Sequence, residues 1–365
     1  MSIPTFAIPV VIILVAGAAF TAGWSLPIPW PGQDRRPSPD PITARADIKR
    51  TFGVGAGPVA GIAYSPDGSR LAAATSDGGV VVRDALNGRE ESRRYTPEYT
   101  GAVTGLTFST DGRTVAVSTS SGYVLLWPVS GARAESAALE PPAGRGSAVT
   151  GTAFSHDAHT LAVANSQGVV RLWDVRDPRH PHVVATPARR HSVTDVAFDR
   201  ADRSLAVGSI DGTIQLWDVR DPRRPEVLDT LHSGQSVTSV GYSPDGSVLA
   251  AGRSDGTTRF WDVHDPAAPR PYTQARSWAA PGDIGSITGL TFTDGSRLAA
   301  STAGGYVQVW NLRSHRSPSL LRPSSRSQAF TSLSYDTTGS TLAIGVANGT
   351  VQVWSAGGGA GDETS

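Results

Sequence analysis

The side chains in this sequence best suited to metal chemistry are four histidines close together in the chain. His156 and His159 flank Asp157, and His180 and His182 follow Asp177. Imidazole nitrogens beside a carboxylate are the donor set that zinc and similar ions take. A competing reading starts from the segment DPRHP at 177–181, a one-residue variant of DPRRP at 221–225. On that reading the histidines are exposed loop residues that bind nothing.

A second group is suited to recognition. Trp278 and Arg276 lie in a loop over 269–284, Arg145 in another, and Arg189 and Arg190 are adjacent. Tryptophan and arginine are the usual anchors of protein interfaces, so these five are the candidate partner-binding residues. Arg179, Arg223 and Arg224 have similar chemistry, but the arginine-rich loops carry acids beside them and read equally as solvated loops. Trp278 has its own alternative, folding back over the strands it follows.

Nothing comparable points to catalysis. There is no G-x-x-x-x-G-K-[ST], H-E-x-x-H or G-x-S-x-G motif and no kinase signature. Gly53, Gly55, Gly57 and Gly61 have no lysine after them and read as a leading loop. Most aspartates sit at turns, where the side chain serves the backbone. The expectation is a protein that is not an enzyme and needs no cofactor.

Composition narrows the class. Lys+Arg and Asp+Glu are 32 each, which excludes the strongly basic profile of a typical nucleic-acid binder. Cysteine is absent, so disulfides, thiolate metal sites, a cysteine nucleophile and a lipid-carrying cysteine are excluded. With 40 Gly and 26 Pro, the chain turns often, as an all-β protein does.

The first charged residue is Asp34. Before it, 6–22 reads FAIPVVIILVAGAAFTA, and Val10 to Leu26 gives 17 residues without proline, the short end of a membrane span. Its apolar residues supply about −2 to −4 kcal/mol of insertion free energy, and Trp24 and Trp30 fall where an interfacial belt would sit. Arg35, Arg36, Arg45, Lys49 and Arg50 all follow this segment, which puts the rest of the chain on the cytoplasmic side. The alternative is a cleaved export signal, supported by Ala16-Gly17-Ala18 and opposed by the lack of a basic start.

The elements that must position the candidate residues recur. Short strands end in tryptophan or a substitute at 83, 127, 173, 217, 261, 310 and 354, spaced by 44, 46, 44, 44, 49 and 44 residues. Each period opens with an alternating strand such as VTGLTF or VTDVAF, then a turn such as Ser-Pro-Asp-Gly, then a run such as LAVGS, a tight turn and the tryptophan strand. A sustained period of this size marks four-stranded propeller blades.

With Trp-Asp pairs at Trp173, Trp217 and Trp261, the sequence resembles the WD40-repeat family, seven repeats over roughly 48–355. The resemblance implies an all-β, seven-bladed WD40 β-propeller whose role is to present loops to protein or peptide partners. It also implies a bracing network in each blade, a Ser/Thr eight and an Asp six residues before the Trp, joined by a His. Ser209, Asp211, Trp217 and His191 fit it fully. Thr75 and Asp77 fit in the first repeat, where Arg83 replaces the Trp; Asp255 and Trp261 fit in the fifth, where Arg253 takes the Ser/Thr place. Trp127, Trp173, Trp310 and Trp354 carry the motif elsewhere, with Ser121 at the Asp place in the second repeat, and Val346 and Asn348 as substitutes in the seventh.

The organisation expected is a transmembrane helix or signal anchor over 1–26, a proline-rich tether over 27–45, the propeller over 46–355 and a tail over 356–365. The last repeat ends at its third strand, so 46–52 should supply its outer strand and close the ring. The insertions at 131–147 and 269–284 should emerge on one face. The propeller should be a monomer at the cytoplasmic side of a membrane, an exported propeller binding an extracellular or cell-wall ligand being the alternative, and no nucleic acid is expected to bind.

Overall fold

Alternation gives each strand two different faces, and in this chain both are covered. The computed structural model describes residues 43–45, 47–97, 100–129, 137–141, 147–187, 191–272, 284–293, 297–312, 318–322 and 328–355, with the backbone alone at 43–45 and 322. These residues form seven sheets and contain no α-helix. No helix among them is long and apolar enough to cross a membrane; the segment 1–26 lies outside the described residues, as does the tail 356–365.

Blade one shows the pattern, with strands Val59–Tyr64, Arg70–Thr75, Gly79–Asp84 and Glu90–Tyr95 running antiparallel from the axis outward. In its second strand Leu71 and Ala73 pack with Val81 against Ala343, Val351 and Val353 of blade seven. Ala72 and Ala74 face the other way, onto Val103, Val115 and Trp127 of blade two. The core is therefore a series of layers between neighbouring blades, the small alanines letting the sheets approach. Trp127, Trp173, Trp217, Trp261, Trp310 and Trp354 are all buried in these layers.

Seven inner strands ring the axis, and the last, Phe330–Tyr335, packs on the first, Val59–Tyr64. Each has an irregularity after its first residue, as between Val193 and Asp195. Such bulges sharpen the local twist.

Two strands precede blade one, β1 (Thr43–Arg45) and β2 (Asp47–Gly53). β2 pairs antiparallel with Thr350–Ser355 as the outer strand of blade seven, closing the ring as the chain arithmetic anticipates. β1 departs from expectation. The segment read as the end of a tether instead pairs in parallel with Ser319–Arg322 and gives blade six a fifth strand. An unpaired edge takes up any extended backbone that reaches it.

The expected long loops are also subdivided. Within 131–147 lies the strand Ala137–Leu139, outermost in blade two, and within 269–284 lies Arg270–Pro271, outermost in blade five. The rest of both insertions, at 130–136, 142–146 and 273–283, lies outside the described residues.

The turns after the inner strands share one chemistry. Ser65 Oγ donates to Asp67 Oδ1 (2.5 Å) and accepts from the Arg70 N–H (2.9 Å), and Ser109, Ser155 and Ser243 repeat this. Hydrogen bonds from Ser65 and Ser69 hold the Asp67 carboxyl down to about 2. Gly68, Gly112, Gly246 and Gly339 take the left-handed position. In blades three and four Ala158 (φ 60°) and Asp202 (φ 53°) stand there. Asp202 compensates, because its carboxylate crosses to blade three and accepts the N–H groups of His156 (2.6 Å) and Asp157 (2.9 Å). Ala158 has no such function. Ala158→Gly should therefore raise stability by about 0.5–1 kcal/mol, whereas Asp202→Gly, with the same backbone relief, should lower it by about 1 kcal/mol; urea midpoints of the two variants check this.

Candidate interaction surface

One rim of the ring carries the tight turns between second and third strands and the connections between blades. In blade one, Asp77 Oδ2 accepts the Ala56 N–H (2.9 Å) and Thr75 Oγ1 donates to the Gly79 carbonyl (3.2 Å). Hydrogen bonds from Thr75 and from the backbone of Ala56, Gly79 and Gly57 draw the Asp77 carboxyl below its ordinary range in spite of its burial. The loop leading into blade one wraps this carboxylate closely. A Cβ at Gly55 would lie 2.4 Å from Thr75 Oγ1, so glycine is required there. Val54 then donates to the Gly349 carbonyl (3.0 Å) and accepts from Arg93 Nη1 (2.6 Å), which pins the closure.

In blade four His191 Nε2 lies 3.6 Å from Asp211 Oδ2, and Asp211 Oδ1 accepts from Thr213 N–H (3.0 Å) and Oγ1 (2.7 Å). Trp217 lies elsewhere. Its register partner is Leu205, towards the far end of the strand from Ser209, and its indole N–H donates to Gln215 Oε1 (3.1 Å). The structure thus brings His191 and Asp211 together at the rim and puts Trp217 in the layer between blades. In blade seven Asn348 Oδ1 accepts from Thr350 N–H and Oγ1, as Asp211 does from Thr213. In blade five Arg253 ties the rim down, donating to Thr257 Oγ1 (2.6 Å) and the Ser233 carbonyl (2.8 Å) and pairing with Asp255 (3.3 Å). Arg259 donates to the same Ser233 carbonyl (2.8 Å).

The four histidines do not converge. His159 pairs with Asp157 (3.1 Å), His180 with Asp177 (2.8 Å), and His182 lies 3.9 Å from Asp174; all three are mostly exposed. His156 is exposed too, held through its backbone by Asp202. Among the described residues no group of three or more His, Cys, Asp or Glu side chains is placed to hold a metal ion. The sequence locates these residues correctly at one end of blade three, but each turn pairs its own histidine with an acid two or three residues away. Arg176 and Arg220 close the neighbouring turns in the same manner, onto Asp174 and Asp218. The arginine beside it holds the Asp174 carboxyl down to about 2.

Trp278, Arg276, Arg189, Arg190 and Arg145 lie outside the described residues. The described residues hold a small feature that motif reading misses, a void of about 20 Å³ between blades two and three, room for about one water, lined by Arg171, Trp173, Ser147 and Glu140 among aliphatic side chains. The signal for it in the sequence is slight. Two residues before the tryptophan, blades four, six and seven carry Gln215, Gln308 and Gln352, and blades three and five carry Arg171 and Arg259.

Sequence reading also passes over Asp195, on the inner strand of blade four. Its carboxylate bridges to blade five, accepting from Ser239 Oγ (2.9 Å), Val240 N–H (3.0 Å) and its neighbour Val196 N–H (2.9 Å). Burial outweighs these three bonds and pushes the carboxyl up to about 6. The folded state then binds more protons than the unfolded chain between about pH 4 and 6, so this group's contribution falls as pH rises through that window. Asp195→Asn removes the titration. Relative to the variant, the wild-type urea midpoint should drop between pH 4.5 and 7, a difference of about 1–3 kcal/mol; parallel pH profiles would refute it.

No curated protein matches the chain. The family described as WD domain, G-beta repeat, matches residues 48–84 and 91–128. The family described as Nucleolar protein 10-like, N-terminal domain, a β-propeller, matches 147–247 and 226–360, together more than half of the chain. These matches fall on the blades that the seven sheets form: WD40 repeats are found in the first two, and the chain belongs to the β-propeller family described as Nucleolar protein 10-like, N-terminal domain.

Proposed function

We propose that this chain is a non-catalytic scaffold, tethered to the cytoplasmic face of a membrane by the apolar segment 1–26, that presents the loops of one rim to a protein or peptide partner. WD40 propellers generally act as protein-interaction scaffolds, and the observation that most supports that role here is how the rim is fixed. Its turns are held by carboxylates bonded to backbone, as at Asp77 and Asp211, and by arginines clamping carbonyls, as at Arg253. A surface held this way gives up little entropy when it binds. The tether reading draws on the charge-free start, on the basic residues that follow it, and on β1, which brings the chain to the ring at the edge of blade six.

Trp278 and Arg276, in the longest insertion of the repeat, are the proposed anchors, with Arg145, Arg189 and Arg190 in the segments between other repeats. Membrane fractionation tests the tether: the full chain should sediment with membranes, a form lacking 1–26 should not, and protease added to intact cells should leave the propeller whole. Digestion there would put the exported propeller in place of the cytoplasmic one. For the anchors, partner recovery from solubilised membranes should fall at least about tenfold in Trp278→Ala, and unchanged recovery would remove Trp278 from the surface.

A further inference from the structure

Blade five carries arginine at two places that face one loop. Arg253 stands where the other blades have Ser, Thr, Asn or Val, and Arg259 stands two residues before Trp261. Blade three has arginine at the second place, but no other blade has it at both. The two guanidiniums converge on the connection between blades four and five. Nη1 of each donates to the Ser233 carbonyl (2.8 Å), and Arg259 also donates to the His232 carbonyl (3.1 Å). A carbonyl can be shared in this way, but it is no counter-ion. Asp255 pairs with Arg253 (3.3 Å) and is occupied further by the Thr257 N–H (3.0 Å) and Oγ1 (2.5 Å). Arg259 has no carboxylate among the described residues; its guanidinium lies over Trp261 (5.8 Å) and stays partly exposed. Burial draws the pKa of Arg253 down, Asp255 opposes this, and the charge of Arg259 adds to it. Two cations thus meet at this point of the rim with one acid between them.

Ser233 ties this pair to the neighbouring turn of blade four. It is buried, and its N–H donates to the Gly212 carbonyl (2.8 Å), while Ser236 Oγ donates to the Ile210 carbonyl. The turn Ile210-Asp211-Gly212 therefore sits against the same short loop as the two arginines. Ile210 is 42% exposed and belongs to none of the apolar layers between blades. The turn itself does not require it, since the equivalent residues are Ser76, Ser120, Ser166, Ser254, Ala303 and Ala347. Among the described residues, no other large apolar side chain this exposed lies in a tight turn of this rim. Leu86 follows the third strand of blade one, and Tyr95, Val183 and Val227 belong to outer strands. An apolar side chain left in water beside cations short of an anion is complementary to the opposite pair, an aliphatic group and a carboxylate.

We infer that the rim between blades four and five, formed by Ile210, Arg253 and Arg259 around the loop 232–236, docks a partner segment that carries an aliphatic side chain close to an acidic one. The aliphatic group takes Ile210 out of water, and the carboxylate completes the donors of Arg259. The assignment rests on the scaffold reading but uses residues other than Trp278. Partner recovery that falls in Trp278→Ala and is unchanged in Ile210→Ser would overturn it and leave that reading standing.

The test uses the full chain and saturation transfer from the protein to the methyl groups of short peptides. The probes are acetyl-Gly-Leu-Glu-Gly-amide and acetyl-Gly-Leu-Gly-Glu-Gly-amide, each beside a counterpart with glutamine for glutamate and one with alanine for leucine. At least one of the two acids should bind saturably, with a dissociation constant on the order of millimolar for so small a probe. Both of its counterparts should bind at least about threefold more weakly. Arg259→Gln, which installs the residue of blades four, six and seven, should weaken binding at least about tenfold. Ile210→Ser, which installs the residue of blades one, two, three and five, should weaken it at least about threefold. Because Ile210 is exposed, Ile210→Ser should melt with the wild type, and it keeps the inference open to refutation should Arg259→Gln fail to fold. No saturable binding by either acid, equal binding by an acid and its glutamine or alanine counterpart, or undiminished binding by Arg259→Gln or by Ile210→Ser would overturn the inference.

Discussion

Every blade in this molecule depends on its neighbours for burial. The layer that contains Leu71, Ala73 and Val81 on one side is completed by Ala343, Val351 and Val353 on the other, and the same holds around the ring. A single four-stranded sheet has two apolar faces and no core, so it cannot bury either alone. At about 1.5–3 kcal/mol for each large apolar side chain removed from water, an uncovered face would forfeit more than most folds have in reserve. Closure is thus a condition of stability, and the rim geometry follows from it.

The seam where closure happens differs from the other six. At the place of the tryptophan in blade one stands Arg83, its guanidinium 4.5 Å from the ring centre of Phe52 on β2, bonded to the Gly88 carbonyl (2.9 Å) and paired with Glu90 (3.0 Å). Arg50 of β2 reaches the Leu86 carbonyl (2.6 Å), and Arg93 of blade one reaches the Val54 carbonyl (2.6 Å). Directional, charge-assisted bonds and a cation–π contact take over where the other blades have an indole. Such bonds specify register well, which suits a strand pair formed by distant parts of the chain.

What was legible in the sequence follows the same logic. The tryptophans, the paired alanines and the turn sequences recur because each layer repeats the same packing problem, so strand order, blade number and the role of β2 could be read from period and alternation. The pairing of β1 could not, since a parallel edge contact by Thr43–Arg45 answers to which edge lies open and not to side-chain pattern. The histidines of blade three were placed at the right end, yet proximity along the chain decided their partners: Asp157 and Asp177 lie within one turn of His159 and His180 and capture them before any third ligand can. Trp217 was assigned to a network with Ser209 because the resemblance implied it, while the register sets them towards opposite ends of adjacent strands.

A repeat protein contains its own controls, and that makes single departures informative. Position by position, seven blades solve one packing problem, so a residue that breaks the pattern either serves the seam it occupies or serves something outside the fold. Arg83 breaks it and is taken up by Phe52, Gly88 and Glu90. Arg253 breaks it and is taken up by Thr257, Ser233 and Asp255. Asp195 breaks it and bridges to Ser239 and Val240, though its charge remains unmatched. Arg171 gains only one long bond, and Trp173 Nε1 beside it is buried and unpaired, as Trp310 Nε1 is in blade six although Gln308 stands two residues before it. Leaving donors buried and unpaired costs about 1–3 kcal/mol each, so in these two blades it is burial that holds the indole in its layer, without the hydrogen bond that Gln215 and Gln352 accept in blades four and seven.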